Sequence, residues 1–483
     1  MEGTCWCCEE CIRSWKSSSG SNSSEMVASA SPSTTATDEV FNRLQCFDDY
    51  YDGVQIPGPI SHLVKILNYH PSYLECFLTA YNNIVCEEGP LTLEYRTYIG
   101  IMAVSRHQCT YLVNNLTTEF GAVSENEKWL MGLQNVPQKL RDLDEINKLL
   151  AHRPWLVNQQ HIKKLNKNNC GQQWSISELT HAVVLLVYYH SLVSLVKSCG
   201  IGLGFNSTNA CNDVGSHKGS SSASSSSRHN STSGRKKHGS GSGSNGSSMM
   251  RRLSQDGEVE RLLERMKLIQ MDTADVTPQE RLKRFNTVER QIVDLLGANA
   301  IRTMQENRCL VYTLDPSFAY EDFATQMTLN PDLYHFPVPD YSWHEHGCPL
   351  TCVYYGEAAG HALDRKFNVA KEMTYNTVGR HHDIDTTTFR RAVWHYTQCM
   401  FGLMHDNYNY EEINSLLDTN LRTYIKAVTC FPETVDRSMY DGCMKEFMPS
   451  EKVHVNIMIH EARLQSELLY GLRAISRYMS SRD

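Results

Sequence analysis

The sequence predicts an all-α protein, and three observations support this fold class. Apolar residues recur at helical spacing from about Phe41 onward, and few segments show the strict alternation or the β-branched runs that are typical of strands. His70-Pro71 and Gly89-Pro90 interrupt the helical pattern where helices are expected to begin or end. A chain of 483 residues has room for two or three such domains.

The first part of the chain is predicted to form helices at residues 60–69, 72–86, 92–120, 126–133, 137–151, 158–166 and 176–198. Residues 98–104 are almost wholly apolar, so the helix that contains them is expected to be buried on most sides. On this helix Cys109 shares a stripe with Leu112 and Leu116, and Arg106 precedes it by about one turn. A guanidinium beside a thiol favours the reactive thiolate, although inert packing also explains a cysteine on a core stripe.

Residues 206–250 form a Ser-, Gly- and Asn-rich segment that cannot bury enough apolar surface to offset its ordering entropy. The segment ends at 251–254 (RRLS), where Ser254 resembles the target of a basophilic protein kinase. Amphipathic helices are predicted around 259–269 and 279–297. The helices of the second half are predicted at residues 361–378, 387–403, 410–429, 433–447 and 451–480.

These patterns divide the chain into five regions. They are a disordered Cys/Ser-rich tail (1–40), a helical domain (41–203), a low-complexity linker (204–256), linker helices (257–309) and a second helical domain (310–483). The tail contains Cys5, Cys7, Cys8 and Cys11, which suit a soft metal or palmitoyl attachment but also an unstructured terminus. We predict no metal site and no cofactor in the helical domains.

Composition restricts the compartment and the partners. A net charge of −8 and a pI near 6.2 argue against nucleic-acid binding. The chain opens without the apolar core of a signal peptide, and the 17 scattered cysteines are typical of reduced thiols. The longest apolar stretch, 182–189, is too short to span a bilayer. We therefore expect a cytoplasmic protein that also enters the nucleus.

Three short patterns in the second half combine hydroxyl, charged and apolar side chains at helical spacing. They are Thr374 with Thr377, then Thr386 with Phe389 and Arg390, and finally Glu451 with His454. A free amino acid requires a cation for its carboxylate, an anion for its ammonium and an apolar cavity for its side chain. Arg390, Glu451 and the region around Phe389 supply this set. The alternative is that Arg390 and Glu451 form ion pairs with each other or with neighbours.

Several longer strings resemble the sestrin family. They are 98–103 (YIGIMA) followed by 106–113 (RHQCTYLV), then 147–156 (NKLLAHRPWL), 374–377 (TYNT) and 450–456 (SEKVHVN). The resemblance covers roughly residues 55–203 and 310–480. It implies an all-helical protein with two related halves, of which the first resembles bacterial alkylhydroperoxidases. The second half is then expected to carry a leucine pocket and a surface for the GATOR complex, upstream of the TOR kinase complex.

The resemblance implies a role for each residue of the pocket. Glu451 would bind the ammonium of leucine and Arg390 its carboxylate. The remaining leucine-binding residues would be Thr374, Tyr375, Asn376, Thr377, Thr386 and His454, with 381–386 as a lid. Leucine-binding vertebrate members have a leucine in place of Phe389 and a tryptophan in place of Met444, and such changes are worth about 1–3 kcal/mol. The pocket is therefore expected to bind leucine weakly or to prefer methionine or isoleucine.

A patch at Asp406, Asn407 and Tyr408 resembles the loop by which the family contacts GATOR. Its tyrosines are predicted to be exposed, as suits a protein interface, although a solvated turn before a helix explains the same pattern. Asn407 stands where relatives have aspartate, which removes one charge. AMP-activated protein kinase is a further candidate partner.

The rival hypothesis is an alkylhydroperoxide reductase that acts through Cys109 and Tyr111. Peroxide reduction needs a thiolate, a proton donor and a reductant that regenerates the thiol from sulfenic acid. The relay histidine of the family is replaced by Leu116, and the second cysteine of the bacterial pair by Leu112. We therefore favour a stress-responsive leucine sensor that inhibits TOR complex 1 through GATOR and is released by amino acid. A scaffold that uses neither site is the third hypothesis.

Overall fold

The structure is a computed structural model that describes residues 60–167, 173–201, 257–271, 277–290, 308–374 and 376–481. Several sequence predictions lie outside these residues. They are the N-terminal tail with Cys5, Cys7, Cys8 and Cys11, the low-complexity linker with Ser254, and Tyr375.

The described part of the chain is predominantly helical, as predicted. The helices of the first half are α1 (Ser61–Leu67), α2 (Pro71–Tyr81), α3 (Leu93–Arg106), α4 (Thr110–Val123), α5 (Gln138–His152), α6 (Gln159–Asn166) and α7 (Ile176–Ser198). The linker helices are α8 (Glu258–Met271) and α9 (Pro278–Arg290). The second half contains α10 (Phe323–Leu329), α11 (Cys348–Tyr354), α12 (Glu357–Glu372), α13 (Thr387–Cys399), α14 (Glu411–Leu416), α15 (Thr419–Cys430), α16 (Arg437–Gly442) and α17 (Pro449–Ser480).

The strands of the described residues are only two residues long. Strand β1 (Phe336–Pro337) pairs in parallel with β4 (Leu403–Met404). Strand β2 (Thr377–Val378) pairs antiparallel with β3 (His381–His382), so that Thr377 lies opposite His382.

Two predicted helices are each divided into two by the structure. The helix predicted at 92–120 breaks between α3 and α4, where Gln108 has a φ of 50° and His107 turns into the core. The helix predicted at 410–429 breaks at Asp418, whose carboxylate accepts a hydrogen bond from the backbone N–H of Leu421 and caps α15. The second break is thus stabilised by a side-chain cap, whereas the first depends on the turn at Gln108, and apolar spacing reveals neither. The short helices α10 and α11 were not predicted.

The core of the protein is built on α7 and α17, which come from different halves of the chain. Helix α7 is apolar on every side and buried along nearly its whole length, as expected for a core helix. Its length and composition would also allow it to cross a membrane, but its apolar window is wholly buried inside the protein. A Cβ at Gly471 of α17 would lie 2.6 Å from Cγ1 of Val183 on α7, so a glycine is required for this close approach.

A buried polar network crosses the contact between α7 and α17. The Arg463 guanidinium donates to Glu467 Oε1 (2.7 Å), to Ser194 Oγ (2.7 Å) and to His107 Nε2 (2.6 Å). Because His107 accepts through Nε2, its ring is neutral there, and burial together with Arg463 lowers its pKa well below the usual value. His190 completes the network between Glu467 Oε2 (2.9 Å) and Asn147 Oδ1 (2.9 Å).

We expect Arg463→Met to destabilise the fold strongly. The substitution leaves the carboxylate of Glu467 buried without its guanidinium, which typically costs about 3–5 kcal/mol. The measurement is the shift of the urea unfolding midpoint. The control is Arg437→Met, because the pair that Arg437 forms with Asp441 (3.2 Å) is half-exposed, and such pairs are worth less than about 1 kcal/mol. Similar losses in the two variants would contradict the role given to the network.

The pH dependence of stability should report on His152, which lies 4.9 Å from His107 between ring centroids. Burial, and then the charge of Arg106, lowers the pKa of His152 well below its unfolded value near 6.5. The unfolded state therefore binds the proton first, so that stability is lost as the pH falls below about 6.5, by about 1.4 kcal/mol per pH unit. In His152→Phe, urea unfolding at pH 6.5 and 5.5 should show a correspondingly smaller loss. An unchanged loss would mean that folded His152 is protonated.

Candidate functional site

The predicted amino-acid site lies between the end of α12, the β2–β3 hairpin and the start of α17. Helix α12 ends at Glu372, so the prediction that Thr374 and Thr377 share a helix face is wrong. The chain instead turns at Asn376 and Gly379, whose φ values are 51° and 60°. A Cβ at Gly379 would lie 2.7 Å from the carbonyl oxygen of Glu446, so the hairpin packs closely on the loop before α17.

The Glu451 carboxylate is held by neutral donors. Oε1 accepts a hydrogen bond from Thr377 Oγ1 (2.8 Å), and Oε2 accepts from the backbone N–H groups of Gly379 (2.9 Å) and Met448 (2.8 Å). The side chain lies in the first turn of α17, where the helix dipole also favours an anion. A carboxylate offers about four acceptor positions, and three are used here.

The Arg390 guanidinium is bound by carbonyls and hydroxyls. Nη1 donates to the carbonyls of Lys371 (2.5 Å) and Met373 (3.2 Å), while Nε donates to Thr386 Oγ1 (3.2 Å). Nη2 donates to the hydroxyl of Thr387 (3.0 Å), so that within the described part of the chain one of the five N–H groups has no hydrogen bond. Burial lowers the pKa of Arg390, and the nearby carboxylate of Asp385 acts in the opposite direction.

Among the residues that the structure describes, neither Arg390 nor Glu451 forms an ion pair. The alternative that these two groups form ion pairs with each other or with described neighbours is therefore wrong, and the nearby Asp385 acts on Arg390 without forming a salt bridge. Thr374 and Thr386 lie on the Arg390 side, with their hydroxyl oxygens 3.1 Å apart, whereas Thr377 lies on the Glu451 side. The site thus presents a cation and an anion that are each supported by hydroxyl groups.

Apolar and aromatic side chains adjoin this polar pair. Phe389 and Phe447 are buried with their ring centroids 5.8 Å apart, and Met444 is completely buried. His454 is also buried, beside His70 at 5.6 Å between centroids, and burial lowers its pKa to about 3. His454 is therefore a neutral neighbour of the site and cannot serve as its cation.

Sequence reasoning missed the contribution of α8 to this site. Glu258, at the start of α8, accepts hydrogen bonds from the backbone N–H groups of Met444 (3.1 Å) and Lys445 (2.9 Å). Glu446 in turn accepts from the backbone N–H of Val259 (2.9 Å). The helix beyond the low-complexity segment therefore fixes the loop that carries Met444. No sequence pattern indicated this contact.

The predicted partner patch differs from expectation. Asp406 and Asn407 are exposed, but Tyr408 and Tyr410 are buried, so the prediction of exposed tyrosines is wrong. The ring of Tyr408 stacks on His395 at 3.9 Å, because α13 offers it an apolar and aromatic surface. The exposed part of the patch therefore consists of its polar residues.

The predicted cysteine site is buried and its thiol is not activated. Cys109 is completely buried at the start of α4, and burial raises the pKa of its thiol. The prediction that Arg106 lowers this pKa is wrong, because its guanidinium donates to the carbonyls of Asp315 (2.8 Å) and Phe318 (3.0 Å). Tyr111 hydrogen-bonds through its hydroxyl to His62 Nδ1 (2.9 Å).

A second thiol lies near Cys109, although sequence reasoning found no resolving cysteine. Cys309 follows Cys109 by about 200 residues in the chain. Burial raises the pKa of the Cys309 thiol to about 12, and a negative charge on Cys109 would raise it further, which places the two thiols close together. Both thiols are completely buried. The two groups are thus neighbours that are held protonated.

Comparison with known proteins is consistent with this architecture. The family described as "PA26 p53-induced protein (sestrin)" matches residues 29–479. Sestrin-3 of Mus musculus is 41% identical over 438 residues, covering 88% of this chain and 86% of its own. Sestrin-1 of Xenopus laevis is 42% identical over 433 residues (88% and 85%), and Sestrin-2 of Homo sapiens is 39% identical over 427 residues (88% and 85%). The chain therefore belongs to the sestrin family.

Proposed function

We propose that this protein is a stress-responsive leucine sensor that inhibits TOR complex 1 by binding the GATOR complex and is released by leucine. It acts in the cytoplasm and the nucleus, and AMP-activated protein kinase is a second candidate partner. Family membership supports the general assignment. The leucine site is supported by the geometry of Arg390 and Glu451.

One observation carries the proposal. The half-buried guanidinium of Arg390 binds the end of α12, the buried carboxylate of Glu451 binds the hairpin that follows it, and neither forms an ion pair among the described residues. Buried charges are normally paired, since their desolvation is costly. A zwitterionic amino acid would supply both missing charges at once.

The remaining hydrogen-bonding capacity fits such a ligand. The ammonium group would use the free acceptor position of Glu451, beside the hydroxyl of Thr377. The carboxylate would use the free N–H of Arg390 together with the one hydroxyl proton that the hydrogen bond between Thr374 and Thr386 leaves available. Phe389 and Met444 would form the apolar wall for the side chain.

Helix α13 offers a physical connection between this site and the partner patch. Arg390 and Arg391 are consecutive on α13, and the Arg391 guanidinium lies 5.4 Å from the ring centroid of Tyr408. His395 of the same helix stacks on Tyr408. A small displacement of α13 on leucine binding would therefore reach the exposed pair Asp406 and Asn407.

Leucine binding should be abolished by either Glu451→Gln or Arg390→Met. Each substitution leaves one charge of the bound zwitterion without its partner, which costs about 2–5 kcal/mol and thus weakens binding about 30-fold or more. Calorimetric titration of the purified protein measures the affinity, with isoleucine and methionine as comparison ligands. Wild-type protein should also dissociate from purified GATOR complex when leucine is added, whereas the variants should stay bound.

The control is Glu88→Gln, which removes an exposed carboxylate from the loop before α3 and should leave leucine binding unchanged. Wild-type affinity in Glu451→Gln or Arg390→Met would show that leucine does not bind here. Normal leucine binding without release of GATOR would instead show that the site is correct and the coupling through α13 is not.

Peroxide reduction through Cys109 is not favoured, because the thiol is buried and its raised pKa keeps it protonated. We expect turnover of cumene hydroperoxide by the purified protein to stay near background, at the same rate in wild type and Cys109→Ser. The measurement is peroxide consumption coupled to a thiol reductant. Robust turnover that disappears in Cys109→Ser would restore the enzyme hypothesis.

A further inference from the structure

Two cysteines and a histidine form a cluster that the proposed function does not use. Cys348 and Cys352 lie one turn apart on α11, and His361 lies on the neighbouring α12. One potential ligand atom from each residue lies within 4.8 Å of the other two. The two sulfur atoms are 4.0 Å apart. Although the sequence analysis expected no metal site, the geometry points to one: we propose that Cys348, Cys352 and His361 bind Zn²⁺.

The distances fit a tetrahedral ion. Zn²⁺ binds thiolate sulfur at about 2.3 Å, so two sulfurs on one tetrahedral ion lie about 3.8 Å apart. The observed separation of 4.0 Å is within a few tenths of an ångström of that value. Two thiolates and an imidazole are also the ligand types that favour Zn²⁺ over Mg²⁺ or Ca²⁺.

A glycine makes the cluster possible. A Cβ at Gly360, next to His361, would lie 2.4 Å from Cys352 Sγ and would displace the sulfur from the surface of α12. The Gly360 carbonyl oxygen lies 3.7 Å from Cys348 Sγ. The start of α12 therefore forms a recess that accommodates both sulfurs beside the histidine.

The surroundings provide negative charge and access. Asp364 lies one turn after His361 on α12, is held by the indole N–H of Trp343 (3.0 Å), and acts electrostatically on Cys348. Cys348 is buried, Cys352 is half-buried and His361 is exposed, so an ion can enter from solvent. With three protein ligands, the fourth position is left to water, and the ion would link α11 to α12.

The test uses Co²⁺ as a spectroscopic substitute for Zn²⁺ in the full-length protein. Cys5, Cys7, Cys8 and Cys11 are first changed to serine, because four further thiols would also bind the ion. Reduced, metal-free protein should bind one Co²⁺ per chain with a sulfur-to-cobalt charge-transfer band, and Zn²⁺ should displace it and raise Tm.

Cys352→Ser should remove the charge-transfer band or reduce it strongly. Loss of a residue that only supports a metal ligand weakens metal binding by about 10–100-fold. Because His361 is a direct ligand, His361→Ala should weaken Zn²⁺ binding by more than this, and because His361 is exposed, the substitution should leave the fold intact. The matched controls are Cys199→Ser, a half-buried cysteine at the end of α7, and His344→Ala, an exposed histidine. A missing charge-transfer band, or equal Zn²⁺ affinity in His361→Ala and His344→Ala, would overturn the proposal.

Discussion

The buried guanidinium of Arg463 holds the two halves of the chain together. It is completely buried and joins α17 to α7 through Ser194 and to the α3–α4 junction through His107. Hydrophobic packing alone would let two long apolar helices slide or rotate against each other. A buried charge with directional hydrogen bonds allows one arrangement only, because every alternative leaves it without partners. We infer that this network sets the relative position of the two halves.

The candidate amino-acid site depends on that position because Glu451 lies on the same helix as Arg463, three turns earlier. A second buried pair, Lys366 and Glu461 (3.1 Å), joins α12 to α17. Tyr73 of α2 also hydrogen-bonds to Glu461, so the first half of the chain supports the same contact. The site therefore lies between elements that the core already holds in place, which is the arrangement that precise recognition of a small ligand requires.

The linker helices contact both the candidate amino-acid site and the predicted partner patch. Helix α8 fixes the loop that carries Met444, through Glu258. Helix α9 fixes the loop after the partner patch, where Arg284 donates to Asn409 (2.9 Å) and pairs with Glu411 (2.7 Å). Both helices follow the low-complexity segment in the chain. They are therefore structural parts of the second half as much as a connection between the halves.

The sequence alone predicted the helical class and most helix positions, because apolar spacing depends on neighbours in the chain, while the site residues that it proposed from local motifs and a family resemblance stay a prediction. It did not determine where helices break. The turn at His107 and the end of α12 before Thr374 arise from contacts with residues far away in sequence. It predicted the burial of residues 98–104 but not that of Tyr408 and Tyr410. Packing between distant elements places Tyr408 on His395, directs Arg106 to the carbonyls of Asp315 and Phe318, and brings Cys348, Cys352 and His361 together. Each of these outcomes depends on which elements pack together, and no local pattern specifies that.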